Sequence, residues 1–164
     1  MGESALADAA RFIVERRKKR MALAVRAVQE TVLTRGPQLI QQEIDATTPL
    51  PVDRGTYRRG WKFVRVKEGA EVYATTPYAA IVEDGRRPGK MPPIEPLVGW
   101  VKRKGLVTGR GKKAQADARG AAFAIARAIA KRGIRGRKVF ARASKKLRAE
   151  VRQAIKKAMA TPIE

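Results

Sequence analysis

Few side chains in this sequence could carry out chemistry, and they are scattered. Glu83-Asp84 is an adjacent carboxylate pair, and Asp53 is the only other obvious acidic candidate for a divalent-cation site. With no histidine to join them, these carboxylates make a sparse ligand set. The 164 residues contain no histidine and no cysteine. The commonest general base and metal ligand is therefore missing, Ser–His and Cys–His nucleophile systems are excluded, and so are disulfides and thiolate metal sites. Carboxylates, lysines, two serines and three tyrosines remain. The better reading of Glu83-Asp84-Gly85 is a satisfied turn, or a salt bridge to Arg86 or Arg87. Asp53 suits a turn in which its carboxylate accepts backbone N–H bonds beside Gly55. Gly105 to Gly111 faintly resembles a phosphate-cradling loop but lacks the spacing and terminal Lys-Ser/Thr of a P-loop. The sequence implies no catalytic residue, no cofactor and no metal.

Charge is the dominant signal. Lys plus Arg number 37 against 15 Asp plus Glu, a formal net charge of +22. Between Lys102 and Lys157 the sequence has 20 basic residues and two acidic ones, Asp117 and Glu150. An excess of this size points to a polyanionic or acidic partner and says little about fold. Candidate residues facing DNA or a neighbouring protein are Arg16, Arg17, Lys18, Lys19 and Arg20 in an N-terminal cluster. Lys102, Arg103, Lys104, Arg110, Lys112 and Lys113 surround a glycine-containing loop, and Lys145, Lys146, Arg152 and Lys156 lie near the C-terminus. Trp61 and Trp100 could stack on bases, but each sits in an apolar pattern that favours core or subunit contact. No apolar run approaches the roughly 20 residues that span a bilayer. The last helix is basic and amphipathic, but its apolar face is alanine-rich and has no aromatic residue beyond Phe140, which argues against a membrane-surface role. The N-terminus lacks a signal-peptide pattern as well, so the chain is expected to be made and used in the cytosol or in an assembly built there.

The elements that must position these residues follow from periodicity. Residues 4 to 35 read as a helix capped by Ser4, with Met21, Val25, Val28 and Val32 on one face. Gly36-Pro37 should break or kink it before Ile40 and Ile44 continue the stripe to about Ala46. Trp61–Val66 and Ala70–Thr75 alternate as a hairpin around a Glu68-Gly69 turn. Tyr78–Asp84 suits either a third strand or a short helix. A short helix starting at Pro96 follows a Gly/Pro loop, and Gln115–Arg132 forms a helix stopped by Gly133. A last helix spans about Phe140 to Ala160. The order gives an α+β class: a long N-terminal helix, a small antiparallel sheet and C-terminal helices. The expected organisation is one domain over residues 1–164, with an exposed basic helical arm at 1–20 and a flexible basic loop at 104–114.

Thr48 to Trp61, Thr-Pro-Leu-Pro-Val-Asp-Arg-Gly-Thr-Tyr-Arg-Arg-Gly-Trp, resembles the "Pro, Val-Asp-Thr-Gly, Leu-Arg-Arg-Ser-Trp" signature of tailed-phage tail-completion proteins, also called head–tail joining or neck proteins. Here Arg54 stands for the central Thr and Tyr57 for the Leu, and Leu50-Pro51 is an insertion. Pro77 to Gly85 is similar to the family's "Tyr-Ala, then Val-Glu-x-Gly" element, and Arg87-Pro88-Gly89, Pro92-Pro93 and Trp100-Val101 continue it. Ala122 to Arg127, Arg132-Gly133-Ile134 and Phe140 resemble its C-terminal helix and the loop after it. The ordered set, over about residues 20 to 150, carries the resemblance. It assigns structural roles to Pro49, Val52, Asp53, Gly55, Arg58, Arg59, Trp61, Tyr78, Glu83, Gly85, Pro92 and Trp100. It also implies a non-enzymatic virion protein of the neck, in a six- or twelve-fold homo-oligomeric ring around the DNA channel. Its partners would be head-connector and tail-tube or terminator proteins, and phage DNA without sequence preference. A free sequence-nonspecific DNA-binding protein, nucleoid-type or regulatory, is the alternative, although no helix-turn-helix arrangement is evident.

Overall fold

The computed structural model describes residues 2–47 and 54–162, with side chains from residue 6 onward. Pro49, Val52 and Asp53, the Leu50-Pro51 insertion and the Ser4 side chain lie outside the described residues. The first element is a 44-residue helix, α1 (Gly2–Asp45), roughly 66 Å long at 1.5 Å per residue. It begins before Ser4, which is therefore not its cap. The expected break at Gly36-Pro37 is not there: the helix runs through Pro37. Proline in a helix interior costs about 3 kcal/mol. Val32 on one side of Pro37 and Leu39, Ile40 and Ile44 on the other are all buried. Burying each aliphatic side chain is worth about 1.5–3 kcal/mol, so the packing on both sides outweighs the lost backbone bond.

That packing is supplied mainly by the last helix, α6 (Val139–Ala160), which lies antiparallel to α1. Arg142, near its start, reaches Glu43, and Glu150, two turns later, reaches Arg35. Leu39, Ile40 and Ile44 meet Val139 and Ala143 in one core, together with Tyr57 from the single-turn α2 (Thr56–Arg59). The hairpin closes this core. Strands β1 (Trp61–Val66) and β2 (Gly69–Ala74) pair antiparallel, with Trp61 opposite Ala74 and Val66 opposite Gly69. The turn is thus Lys67-Glu68, one residue earlier than the sequence suggests. Gly69 belongs to the ladder because it is buried against α1, close to Val28. Trp61, Phe63 and Val72 point inward, while Lys62, Val64, Glu71 and Tyr73 occupy the outer face.

Residues 79 to 84 take the helical alternative, α3 (Ala79–Asp84), followed by β3 (Gly85–Arg86). This strand pairs antiparallel with β4 (Ile134–Arg135) in a second two-stranded sheet. Between them lies a helical pair with its own core. Helix α4 (Ile94–Arg103) starts two residues before Pro96, and α5 (Gly111–Arg132) starts four residues before Gln115. Lys112 and Lys113 therefore lie in the first turn of α5. Val98 and Val101 pack against Ala118 and Ala122, whose small side chains let the two helices approach closely. Gly133 ends α5 with a positive φ and donates its N–H to the Ile129 carbonyl.

Gly36 tests how tightly the hairpin and α1 are fitted. A Cβ there would stand 2.5 Å from Cε1 of Phe63. Alanine in a helix interior ordinarily gains about 1 kcal/mol over glycine. Gly36→Ala should instead destabilise the protein, by about 1–3 kcal/mol in denaturant unfolding. Adding Phe63→Leu should recover part of that loss, which a double-mutant cycle reads directly.

Candidate functional site

Of the residues that the sequence singles out, Glu83, Asp84 and Gly85 lie where α3, the small second sheet and the start of α6 meet. Glu83 reaches across to α6 and accepts two of its free N-terminal amides. The N–H of Phe140 donates to Oε2 at 2.8 Å, and that of Ala141 to Oε1 at 2.9 Å. Helix α6 has no side-chain cap of its own, because the residue before it is Lys138 in the left-handed region, φ 53°. Glu83 therefore caps α6 from 57 residues away in sequence, and its charge lies at the positive end of the helix dipole. The Val82 and Glu83 carbonyls accept the N–H groups of Arg137 and Lys138. Asp84 pairs with Lys138 at 2.6 Å and raises the pKa of that lysine. The salt bridge suggested to Arg86 or Arg87 is thus replaced by these partners, which the tertiary fold brings in. Gly85 completes the junction with φ 82°, on a backbone so close to the Ile134 carbonyl that a side chain has no room.

A second acidic centre joins α1 to α6. The Glu43 side chain is only 6% exposed and holds two cations, Arg142 Nε at 2.6 Å and Lys146 Nζ at 2.6 Å. Arg142 also donates to Thr47 Oγ1 at 2.7 Å, and that hydroxyl donates to the Glu43 carbonyl at 2.6 Å. Hydrogen bonds from Lys146 and then Arg142 hold the Glu43 carboxyl below its usual range, against the opposing effect of burial. Two turns along, Arg35 grips Glu150 in a two-pronged pair at 2.7 and 3.0 Å. Its hydrogen bond lowers the Glu150 pKa. Glu43, Arg35, Arg142 and Glu150 were missed in the sequence. The available signal was a glutamate inside the apolar run Leu39, Ile40, Ile44, with cations flanking Ala143 on the partner stripe.

Among the described residues, the other motif positions make contacts of their own. Trp61 stacks on Phe140 with centroids 5.3 Å apart and meets the Tyr57 ring edge-on at 5.7 Å. Burial pushes the Tyr57 hydroxyl up to about 12. Gly55 precedes α2 with φ 73°, Arg58 pairs with Asp45, and Arg59 donates to the Arg54 carbonyl at 2.9 Å. Tyr78 borders an open cleft of about 520 Å³ that Arg54, Thr56, Glu95 and Arg103 also line. Trp100 packs on the α4–α5 core, and Pro92 lies in the loop before α4. Among the described residues no group of three or more acidic side chains is gathered as a metal site.

A family model described as "Bacteriophage HK97-gp10, putative tail-component" matches residues 3–85. The chain belongs to this family. No curated protein and no solved structure matches it. The family match runs from α1 through the hairpin to Gly85, the residue that closes the α3 junction. It makes this chain a phage tail component, of the same broad kind as the resemblance read from Thr48–Trp61 and Pro77–Gly85.

In this tail component the basic candidates fall into three groups. Arg16, Arg17, Lys18, Lys19 and Arg20 lie on the exposed first half of α1. Lys102, Arg103, Lys104, Arg110, Lys112 and Lys113 gather at one end of the α4–α5 pair, where Lys102 also donates to Gln115. Lys145, Arg152 and Lys156 are exposed on α6, whereas Lys146 is held by Glu43. Glu83→Gln should lower stability by about 0.5–2 kcal/mol through the weakened cap, measured by chemical unfolding. Glu43, with its pKa depressed on folding, stabilises fully above its unfolded value of about 4.3, and that contribution is lost as pH falls through the folded value. An acid titration of unfolding free energy should therefore fall less steeply in Glu43→Gln than in the wild type.

Proposed function

We propose that this tail component is a structural subunit of the phage neck, a ring member around the DNA channel between head and tail, and that it catalyses nothing. Head-connector and tail-tube or terminator proteins are its neighbours, assembled in the host cytoplasm and carried in the virion. One observation carries the reading: residues 6–23 of α1 are all exposed, a helix leaving the body with Leu6, Ile13, Val14 and Met21 in solvent. A free helix of this length is marginal in water and keeps its shape by packing on something else. Contacts between non-identical surfaces of identical subunits close into rings when the rotation allows. The three groups of exposed cations favour a partner that is blind to sequence, such as passing DNA or an acidic neighbouring ring.

Electron microscopy of assembled particles should find the chain as a six- or twelve-fold ring at the neck. A single copy per particle, or none, overturns the proposal. The isolated protein should bind duplex DNA without sequence preference, with log K falling by roughly 0.9 per neutralised phosphate against log salt. Lys145→Gln, Arg152→Gln and Lys156→Gln together should reduce that slope and leave unfolding unchanged, since none of the three is paired with Glu43. Strong preference for one duplex would favour a free DNA-binding regulator instead.

A further inference from the structure

We infer that the tip of the α1 arm docks on the outer face of α5 in a second copy of the chain, between Phe123 and Lys131. This rests on the ring reading above and names the two surfaces that would join. The arm is unusual in its charge. In a chain of net charge +22, residues 2–15 carry three carboxylates, Glu3, Asp8 and Glu15, against one cation, Arg11. Asp8, Phe12 and Glu15 stand at i, i+4 and i+7, and so share one face of the helix. Phe12 is 61% exposed, with the Arg16 guanidinium over its ring at 5.4 Å.

Helix α5 presents the complement. Phe123, 47% exposed, heads an open groove of about 500 Å³ that Ala124, Arg127, Ala128, Lys131 and Arg132 also line. Phe123, Arg127 and Lys131 stand at i, i+4 and i+8, an aromatic followed by two cations on one face. An aromatic with a carboxylate on either side thus meets an aromatic followed by two cations, and Arg16 swings off the Phe12 ring to admit it. Asp8 and Glu15 are already engaged within the arm, with Arg11 at 3.9 Å and Lys18 at 2.8 Å. Those are exposed i,i+3 pairs, weak in solvent and readily exchanged.

The groove must belong to another molecule. Phe12 lies 31 residues along α1 from Glu43, roughly 46 Å at the helical rise. Glu43 is where α6 begins, and α5 is tied to that point by the short connector Gly133–Lys138. The donor face and the acceptor face differ, so each copy offers one of each, and the contact propagates head to tail.

The chain has no cysteine, which makes disulfide trapping clean. Ala9→Cys, beside Phe12, combined with Ala124→Cys in the groove should oxidise to a ladder of dimers, trimers and larger species. Mixing the two single variants should give heterodimers, and Ala9→Cys with Val64→Cys on the hairpin should give no ladder. Asp8→Lys with Glu15→Lys should abolish the ladder, as should Arg127→Glu with Lys131→Glu, and uniting both pairs of reversals should restore it. Particles of the Ala9→Cys, Ala124→Cys double variant that show rings but no disulfide between these two positions, or arm-to-arm links in its place, overturn this docking and leave the ring standing. Absence of any ring overturns both.

Discussion

The 22 residues of α6 can cover only half of the 44 in α1, and this mismatch of lengths governs the molecule. Antiparallel pairing starts where Arg142 and Lys146 meet Glu43, passes Arg35–Glu150, and ends as α6 runs out near Ala160. Beyond that point the apolar stripe of α1 continues through Met21, Val14 and Leu6 with nothing on it. The start of the pairing is therefore the part that must be pinned, since a slip by one turn would expose more stripe and leave Glu43 buried without its cations. Removing the partners of a buried charge costs more than the pair contributes. That asymmetry makes Glu43 a register device, set at the end of α1 where the hairpin and α2 also meet the core.

A chain with this excess of positive charge repels itself, and four of its 15 carboxylates are placed on the α1–α6 seam and at the start of α6. Glu43 takes two cations, Glu150 one, and Asp84 neutralises Lys138 at the start of α6. Glu83 accepts backbone amides instead. Acid acts twice on this arrangement. Protonating Glu43 and Glu150, both held below the ordinary glutamate range, removes their bonds and also raises the net charge of the pair of helices they join. Exposed cations elsewhere, such as Lys112 and Lys113 at the loop end of α4–α5, lie away from this seam.

The helices and the hairpin were legible because each is written in local periodicity. Val25, Val28 and Val32 fall at helical spacing, and Trp61 to Val66 has strand composition. The Ser4 cap and the starts of α4 and α5 were misplaced along the chain, while three other misreadings concern choices that distant parts of the chain settle. Pro37 does not interrupt α1, because apolar residues on both sides of it are buried in contacts no local rule includes. The hairpin turns at Lys67-Glu68, and Gly69 joins the ladder, buried against α1 near Val28. Asp84 finds Lys138 instead of its neighbours Arg86 and Arg87. Within the candidate site, Glu83 and Gly85 were visible as a motif, but what they do depends on an α6 terminus more than 50 residues away.

The family match and the core do not share a boundary, and the difference carries information. Residues 3–85 include α1, the hairpin and α3, yet the core they build is incomplete without α6. With α6 absent, Leu39, Ile40 and Ile44 would face water, Trp61 would lose Phe140, and Glu43 would lose both of its cations. The matched segment cannot therefore stand as a folding unit in this chain. The α4–α5 pair differs. Its own core of Val98, Val101, Ala118 and Ala122 leaves the main one untouched, and it hangs between β3 and β4 like an insertion. The Phe123 groove and the cations from Lys102 to Lys113 lie on that pair, apart from the α1–α6 seam.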